Sequence, residues 1–372
     1  MKIQPRPDVR SLVRQNLVDM PGYEPVEPID VVAQRLGVRP EEIVKLDGNE
    51  NPYGPSPKVA EALAAFRFYH IYRDPAQTRV REAVAEYIGA PPGQLVFGSG
   101  SDELLNLCAQ LFLMAGEPVV TAPPTFGMYE FLGQVYGARV VAVTRREDFT
   151  LDLPALEDAL DAGARLLYLA SPNNPTGNRL PRGELERLLD HGVPIVLDEA
   201  YAEFAGESAV DLVSRCDNLI VVRTFSKWAG LAGLRAGYAV FPRELVDVVW
   251  RMKIPYNLSV ASEQAILASL ADADTLLEHV RLILKERERL AQLLSEQHWL
   301  RPYPSDANFI LCEVRGTSAI GVRDRLRERG IMIRHFDAPG LRNCIRISVG
   351  KPEHTDRLIA GLKEIGSEIA VA

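Results

Sequence analysis

The sequence predicts an α/β fold: a large domain with a mainly parallel sheet covered by helices, followed by a smaller α/β domain. Short apolar, β-branched runs recur at 118–121, 139–143, 165–171, 194–198 and 219–222, and such runs read as strands buried on both faces. Helical patterns separate several of them, as parallel crossovers require. Residues able to do chemistry stand just past several of these runs, at the strand ends where open α/β sheets gather their sites.

With 372 residues, 47% hydrophobic and 25% charged, the chain has the make-up of a soluble globular protein of two domains. A net charge of -8 argues against nucleic acid as a partner while leaving room for a local basic site for a small anion. Cys108, Cys216, Cys312 and Cys344 form no CxxC pair, which suits free thiols in a reducing cytoplasm. No signal-peptide pattern and no membrane-spanning run is present, so no membrane partner is expected. The six histidines never fall at metal-ligand spacing, and no metal site is expected.

In chain order, residues 1–44 carry prolines at 5, 7, 21, 25, 28 and 40 around the helical pattern I-D-V-V-A-Q-R-L-G. They read as an arm and part of the small domain. Lys45 to Pro57 is dense in turn formers and reads as a rigid loop whose polar Asn49, Glu50 and Asn51 either line a site or make the turn. From Lys45 to about residue 262 the pattern is that of the large domain. A helix from Lys58 leads through H-I-Y-R-D-P to an amphipathic helix over Thr78 to Ile88. Next, L-V-F-G is a strand, and G-S-G-S-D-E turns into a helix starting near Ser101, whose free N–H groups make a natural phosphate seat. A further strand is read at G-Y-A-V-F, 237–241. The small domain, 263–372, opens on helices and continues through A-N-F-I-L-C-E-V, a helix over 320–329, G-I-M-I-R and C-I-R-I-S-V.

The stretch Thr224 to Tyr238, T-F-S-K-W-A-G-L-A-G-L-R-A-G-Y, follows the run L-I-V-V and places Lys227 at a strand's C-terminal end. A lysine amine forms an imine with an aldehyde, and a pyridoxal cofactor held that way is an electron sink for carbanions. Ser226 and Arg235 then supply an oxygen donor and a cation for its phosphate. Asp198, ending I-V-L-D, suits the pyridine nitrogen, and Tyr201 and Asn174 suit the ring oxygen. Phe126, in the loop after the 118–121 strand, suits stacking on a flat ring. Taken singly, each feature also fits a surface loop, a helix cap, a core aromatic or a turn. Only their conjunction points to one site.

S-P-N-N-P-T-G, then D-E-A-Y, then S-K-x-x-G-L-x-G-L-R, in that order and at these separations, resemble the fold-type I aminotransferases over nearly the whole chain. N-E-N-P-Y-G-P-S-P, G-S-G-S-D-E, P-P-T-F-G-M-Y, K-I-P-Y-N and R-I-S-V-G further resemble histidinol-phosphate aminotransferases. The resemblance implies pyridoxal 5'-phosphate on Lys227, which also shuttles the proton, with Asp198 at the pyridine nitrogen and Asn174 and Tyr201 at the ring oxygen. It implies Ser101, Asp102, Ser226 and Arg235 around the phosphate, and Tyr72 reaching the cofactor of the second subunit in a homodimer with composite sites. Arg346 and Arg334 are implied for substrate, as a carboxylate clamp and a phosphate reader, with Asn51 beside them. Phe126 stands where that family carries Tyr, so stacking survives and a hydroxyl contact is lost; Arg73 follows Tyr72 where Pro is expected. The implied reaction moves an amino group between L-histidinol phosphate and 2-oxoglutarate, giving imidazole-acetol phosphate and glutamate, in histidine biosynthesis. An aromatic amino acid aminotransferase, a phosphothreonine decarboxylase and a non-catalytic cofactor-binding sensor are the alternatives.

Overall fold

The computed structural model describes residues 8–23 and 25–371; the prolines at 5 and 7 lie outside them. Among the described residues twelve strands form two sheets: β1 (Val44–Leu46), β2 (Leu95–Ser99), β3 (Pro118–Thr121), β4 (Arg139–Ala142), β5 (Leu166–Ala170), β6 (Ile195–Asp198), β7 (Leu219–Thr224), β8 (Ala236–Val240), β9 (Leu300–Pro302), β10 (Phe309–Val314), β11 (Ile331–His335) and β12 (Cys344–Ser348). The larger sheet has the order β2-β8-β7-β6-β5-β3-β4. All its pairs are parallel except β2 with β8 and β8 with β7.

The uniformly apolar strands have the expected cause. Leu167, Leu169, Ile195, Leu197, Leu219 and Val221 face one core, while Leu166, Tyr168, Val196, Ile220 and Val222 face another. Both faces are therefore dry, and alternation of hydrophobicity disappears.

The smaller sheet has the order β1-β11-β12-β10-β9. Two of its strands escape sequence reading. β9 and β1 are three residues each, too short for a periodic signal, and β1 exists because it pairs in parallel with β11. Lys45 and Leu46 consequently lie in the small sheet, and the chain crosses into the larger unit after them rather than at residue 45. The loop reading of 45–57 needs the same correction at its first two residues.

The helix Ala273–Ser295 buries Leu276, Val280, Ile283, Leu290 and Leu294 in one apolar stripe, with the buried Glu286 among them paired to Arg289. Among the described residues no helix is long and apolar enough to cross a membrane.

Candidate active site

β5, β6 and β7 run side by side, with Ala170 opposite Asp198 and Asp198 opposite Val222. Their C-terminal ends thus bring three separate motifs together: Asn174 beyond β5, Asp198 on β6 and Lys227 beyond β7.

Lys227 Nζ donates to the Gly48 carbonyl at 3.0 Å. Burial, and then the nearby Arg346 charge, bring its amine down to about 8, with Glu50 and Asp102 pulling the other way. A neutral amine is the form that attacks an aldehyde, so this environment prepares Lys227 for imine chemistry.

Asp198 is 6% exposed, and burial pushes its carboxyl up to about 6 against two hydrogen bonds that favour the ionised form. Those come from the Tyr129 hydroxyl to Oδ2 at 2.9 Å and the Ala200 N–H to Oδ1 at 3.0 Å. The Lys227 charge is the last-ranked of the causes acting on it, and a pyridinium would add a cation against the carboxylate.

Tyr129, the last residue of P-P-T-F-G-M-Y, escapes sequence reading. It lies three residues past Phe126, nearly one helical turn, in the helix Met128–Val135, and its ring stacks on Tyr168 at 5.2 Å. The only available signal was an aromatic at that spacing. Phe126 is half-buried and meets Tyr129 edge-on at 5.7 Å. It also meets Tyr23, at 6.3 Å. Tyr23, from the arm, is another residue the sequence did not single out. Burial raises its phenol, with the Arg334 and Arg346 charges lowering it and the Asp102 charge raising it.

The anion seat forms at the start of the helix Ser101–Phe112. Gly100 there has φ 80, and a Cβ on it would lie 2.8 Å from Arg235 Cζ. Gly237 on β8 admits the same turn from the other side, since a Cβ would lie 2.6 Å from the Ser101 nitrogen. Two missing side chains therefore leave a cradle of N–H groups with a guanidinium at its rim. Arg235 is held by Asp102 at 2.8 Å, both about half exposed, and Ser226 Oγ is buried 3.0 Å from Thr224 Oγ1.

Arg346 on β12 donates to Asn174 Oδ1 at 2.7 Å and to the Asp47 carbonyl at 2.5 Å. Its Nε is buried without a partner. Arg334 on β11 lies directly opposite it, and both guanidiniums sit over Phe336, at 5.7 and 5.5 Å. Burial, followed among the lowering causes by the Arg334 charge, depresses the Arg346 guanidinium below its ordinary value. A cavity of about 270 Å³ opens beside Arg334, bounded also by Asp47, Arg323, Arg327 and His335.

Asn174 accepts from Arg346, which leaves its N–H side for a ring oxygen. The Tyr201 hydroxyl accepts from Asn49 Nδ2 at 2.9 Å, and burial pushes its phenol up to about 12. Of the polar pair around Glu50, Asn49 therefore reaches the site. Asn51 uses its amide on backbone, donating to the Trp228 carbonyl at 2.8 Å and accepting from the Tyr53 N–H at 2.9 Å, which steadies the loop next to Lys227. Tyr72 stands apart from this group: it is 82% exposed, and its ring meets Tyr256 at 4.7 Å.

A depressed lysine, a buried carboxylate and an anion cradle at parallel strand ends define the fold-type I class of enzymes that hold pyridoxal phosphate on a lysine, and the residues present fit that cofactor. Residues 41–362 match the family described as aminotransferase class I and II, and the chain belongs to that family. It is 49% identical to the histidinol-phosphate aminotransferase of Roseiflexus castenholzii, covering 96% of this chain and 99% of that protein. The chloroplastic histidinol-phosphate aminotransferase of Nicotiana tabacum is 46% identical, with 95% of this chain and 86% of the relative covered. Among solved structures, the histidinol-phosphate aminotransferase of Sinorhizobium meliloti in complex with pyridoxal-5'-phosphate superposes with a TM-score of 0.88 at 30% identity, covering 96% of this chain and 98% of the other.

Proposed function

We propose that the protein transfers an amino group between L-histidinol phosphate and 2-oxoglutarate, giving imidazole-acetol phosphate and L-glutamate, as a cytoplasmic step of histidine biosynthesis. The observation that carries the substrate reading is the pair Arg346 and Arg334, side by side on neighbouring strands. One guanidinium clamps a planar carboxylate with two parallel hydrogen bonds; a phosphate monoester, larger and more highly charged, is better held by two cations. Glutamate brings an α-carboxylate to Arg346, and histidinol phosphate brings its phosphate.

Bound on Lys227, pyridoxal phosphate supplies an electron sink for the pair left when the donor's α-carbon loses its proton. Lys227 Nζ takes that proton and returns it, a role suited to an amine brought down to about 8. Asp198 would keep the pyridine nitrogen protonated, Tyr201 and Asn174 would meet the ring oxygen, and Phe126 would cover the ring face. Ser101 and Asp102 through their N–H groups, Ser226 through its hydroxyl and Arg235 through its charge would hold the phosphate.

The assembly in this reading is a homodimer. Phe68, Tyr69, Ile71 and Tyr72 are exposed together with Ile254 and Tyr256, and the Tyr72–Tyr256 contact joins the two segments. A second copy covers this apolar surface, and Tyr72 then reaches the partner's cofactor phosphate.

The experiment is a single-turnover panel of amino donors (histidinol phosphate, phenylalanine, tyrosine, phosphothreonine, glutamate) with wild type, Arg334→Ala and Arg346→Ala. Arg346→Ala slows glutamate and histidinol phosphate alike. Arg334→Ala lowers kcat/KM for histidinol phosphate about ten- to a hundredfold more than for glutamate, the loss of one charge-assisted hydrogen bond. Equal slowing by Arg334→Ala, or none, removes the phosphate-reading role and favours an aromatic donor.

A further inference from the structure

Asn49 lies in the crossing between the two sheets, with φ 53 and 1% exposure, and every polar group it has is used. Its N–H donates to Ser348 Oγ at 2.9 Å, and its Oδ1 accepts from the same hydroxyl at 2.8 Å. Its carbonyl accepts from Asn308 Nδ2 at 3.0 Å, and its Nδ2 donates to the Tyr201 hydroxyl at 2.9 Å. Ser348 and Tyr201 are 3% and 5% exposed, so no water competes for these bonds.

The direction of the last bond matters. With Oδ1 occupied by Ser348, the Asn49 amide can only donate to Tyr201, so the phenol oxygen accepts there and its proton points elsewhere. Accepting one hydrogen bond also strengthens the one a hydroxyl donates. Ser348 stands two residues from Arg346 on β12, on the same side of the strand. The strand whose arginine faces the substrate therefore also grips the residue that aims Tyr201.

We propose that Asn49 and Ser348 are positioning residues that fix the Tyr201 hydroxyl as a donor toward the cofactor's ring oxygen and tie that donor to the strand bearing Arg346. The inference rests on the ring oxygen lying against Tyr201. A donor there draws negative charge off that oxygen, and the oxygen in turn helps hold a proton on the adjoining Lys227 nitrogen. A weaker donor makes the oxygen more basic, and that proton leaves at higher pH. The titratable and charged groups facing the pair are Arg346, Asp198 and Tyr23 at Tyr201, and Arg346, Glu50, Asp102, Lys45 and Asp198 at Lys227.

The test is the visible absorbance of the holoenzyme titrated with pH, for Asn49→Gly and Ser348→Ala, alone and combined with Tyr201→Phe. Glycine keeps the left-handed backbone while removing the amide. Asn49→Gly raises the midpoint by about 0.3 to 1 pH unit, Ser348→Ala raises it by less, and neither adds anything in the Tyr201→Phe background. Should Asn49→Gly fold poorly, Ser348→Ala carries the same test. A Tyr201→Phe shift with wild-type midpoints in both relay variants overturns the proposal, as does a relay shift that persists undiminished without the phenol. A wild-type midpoint in Tyr201→Phe overturns the ring-oxygen contact itself, and the proposal with it.

Discussion

Tyr129→Phe isolates the support of Asp198. The change deletes one hydroxyl and leaves the ring to stack on Tyr168, so the packing of the helix Met128–Val135 persists. What disappears is the 2.9 Å bond to Asp198 Oδ2, while the Ala200 N–H to Oδ1 remains. A hydrogen bond to a charged group contributes about 1.5 to 3 kcal/mol, which at 1.36 kcal/mol per pKa unit is a shift of about 1 to 2 units. The bond favours the ionised carboxylate, so its loss raises the carboxyl from about 6 to about 7.5. Cofactor binding with a protonated ring requires that carboxylate ionised. At pH 6.5 the ionised share then falls from about three quarters to about one tenth, an eightfold loss of affinity, whereas at pH 9 the two proteins bind almost equally. The assay is the cofactor dissociation constant of the apoenzyme measured from pH 5.5 to 9. A loss of the same size at both ends, or none at pH 6.5, refutes the reasoning.

An amine at about 8 is about one quarter neutral at pH 7.5, against about one thousandth for an ordinary lysine. Capture of the cofactor by the apoenzyme, followed by its visible band, therefore levels off above pH 9; a rate still rising tenfold per unit from pH 8 to 10 contradicts this. Gly237→Ala drives a Cβ to within 2.6 Å of the Ser101 nitrogen and weakens pyridoxal phosphate binding by about tenfold or more. Pyridoxal without its phosphate serves as the control, and equal losses for both ligands count against the phosphate seat. Tyr72→Ala mixed one to one with Lys227→Ala regains about a quarter of wild-type activity, because half the dimers carry one intact composite site; no recovery after verified subunit exchange refutes the composite site.

Much of the site was legible in the sequence because parallel strands buried on both faces leave an unmistakable apolar run, and the first polar residue after each run marks the strand end. Asp198 follows from that rule directly; Asn174 and Lys227, a few residues past Ser171 and Arg223, stand out by their chemistry and motifs, and the anion cradle by its glycines and helix start. The tertiary structure alone decided which of two nearby asparagines enters the site: Asn49 reaches Tyr201, while Asn51 bonds to the backbone of Trp228 and Tyr53. It alone placed Tyr129 on Asp198, Tyr23 against Phe126, and Arg334 opposite Arg346. It also made a strand of Val44–Leu46 through pairing with β11. Burial and turn chemistry act between chain neighbours and leave local patterns, whereas register, side-chain direction and contacts between distant segments are chosen only when the two sheets pack together.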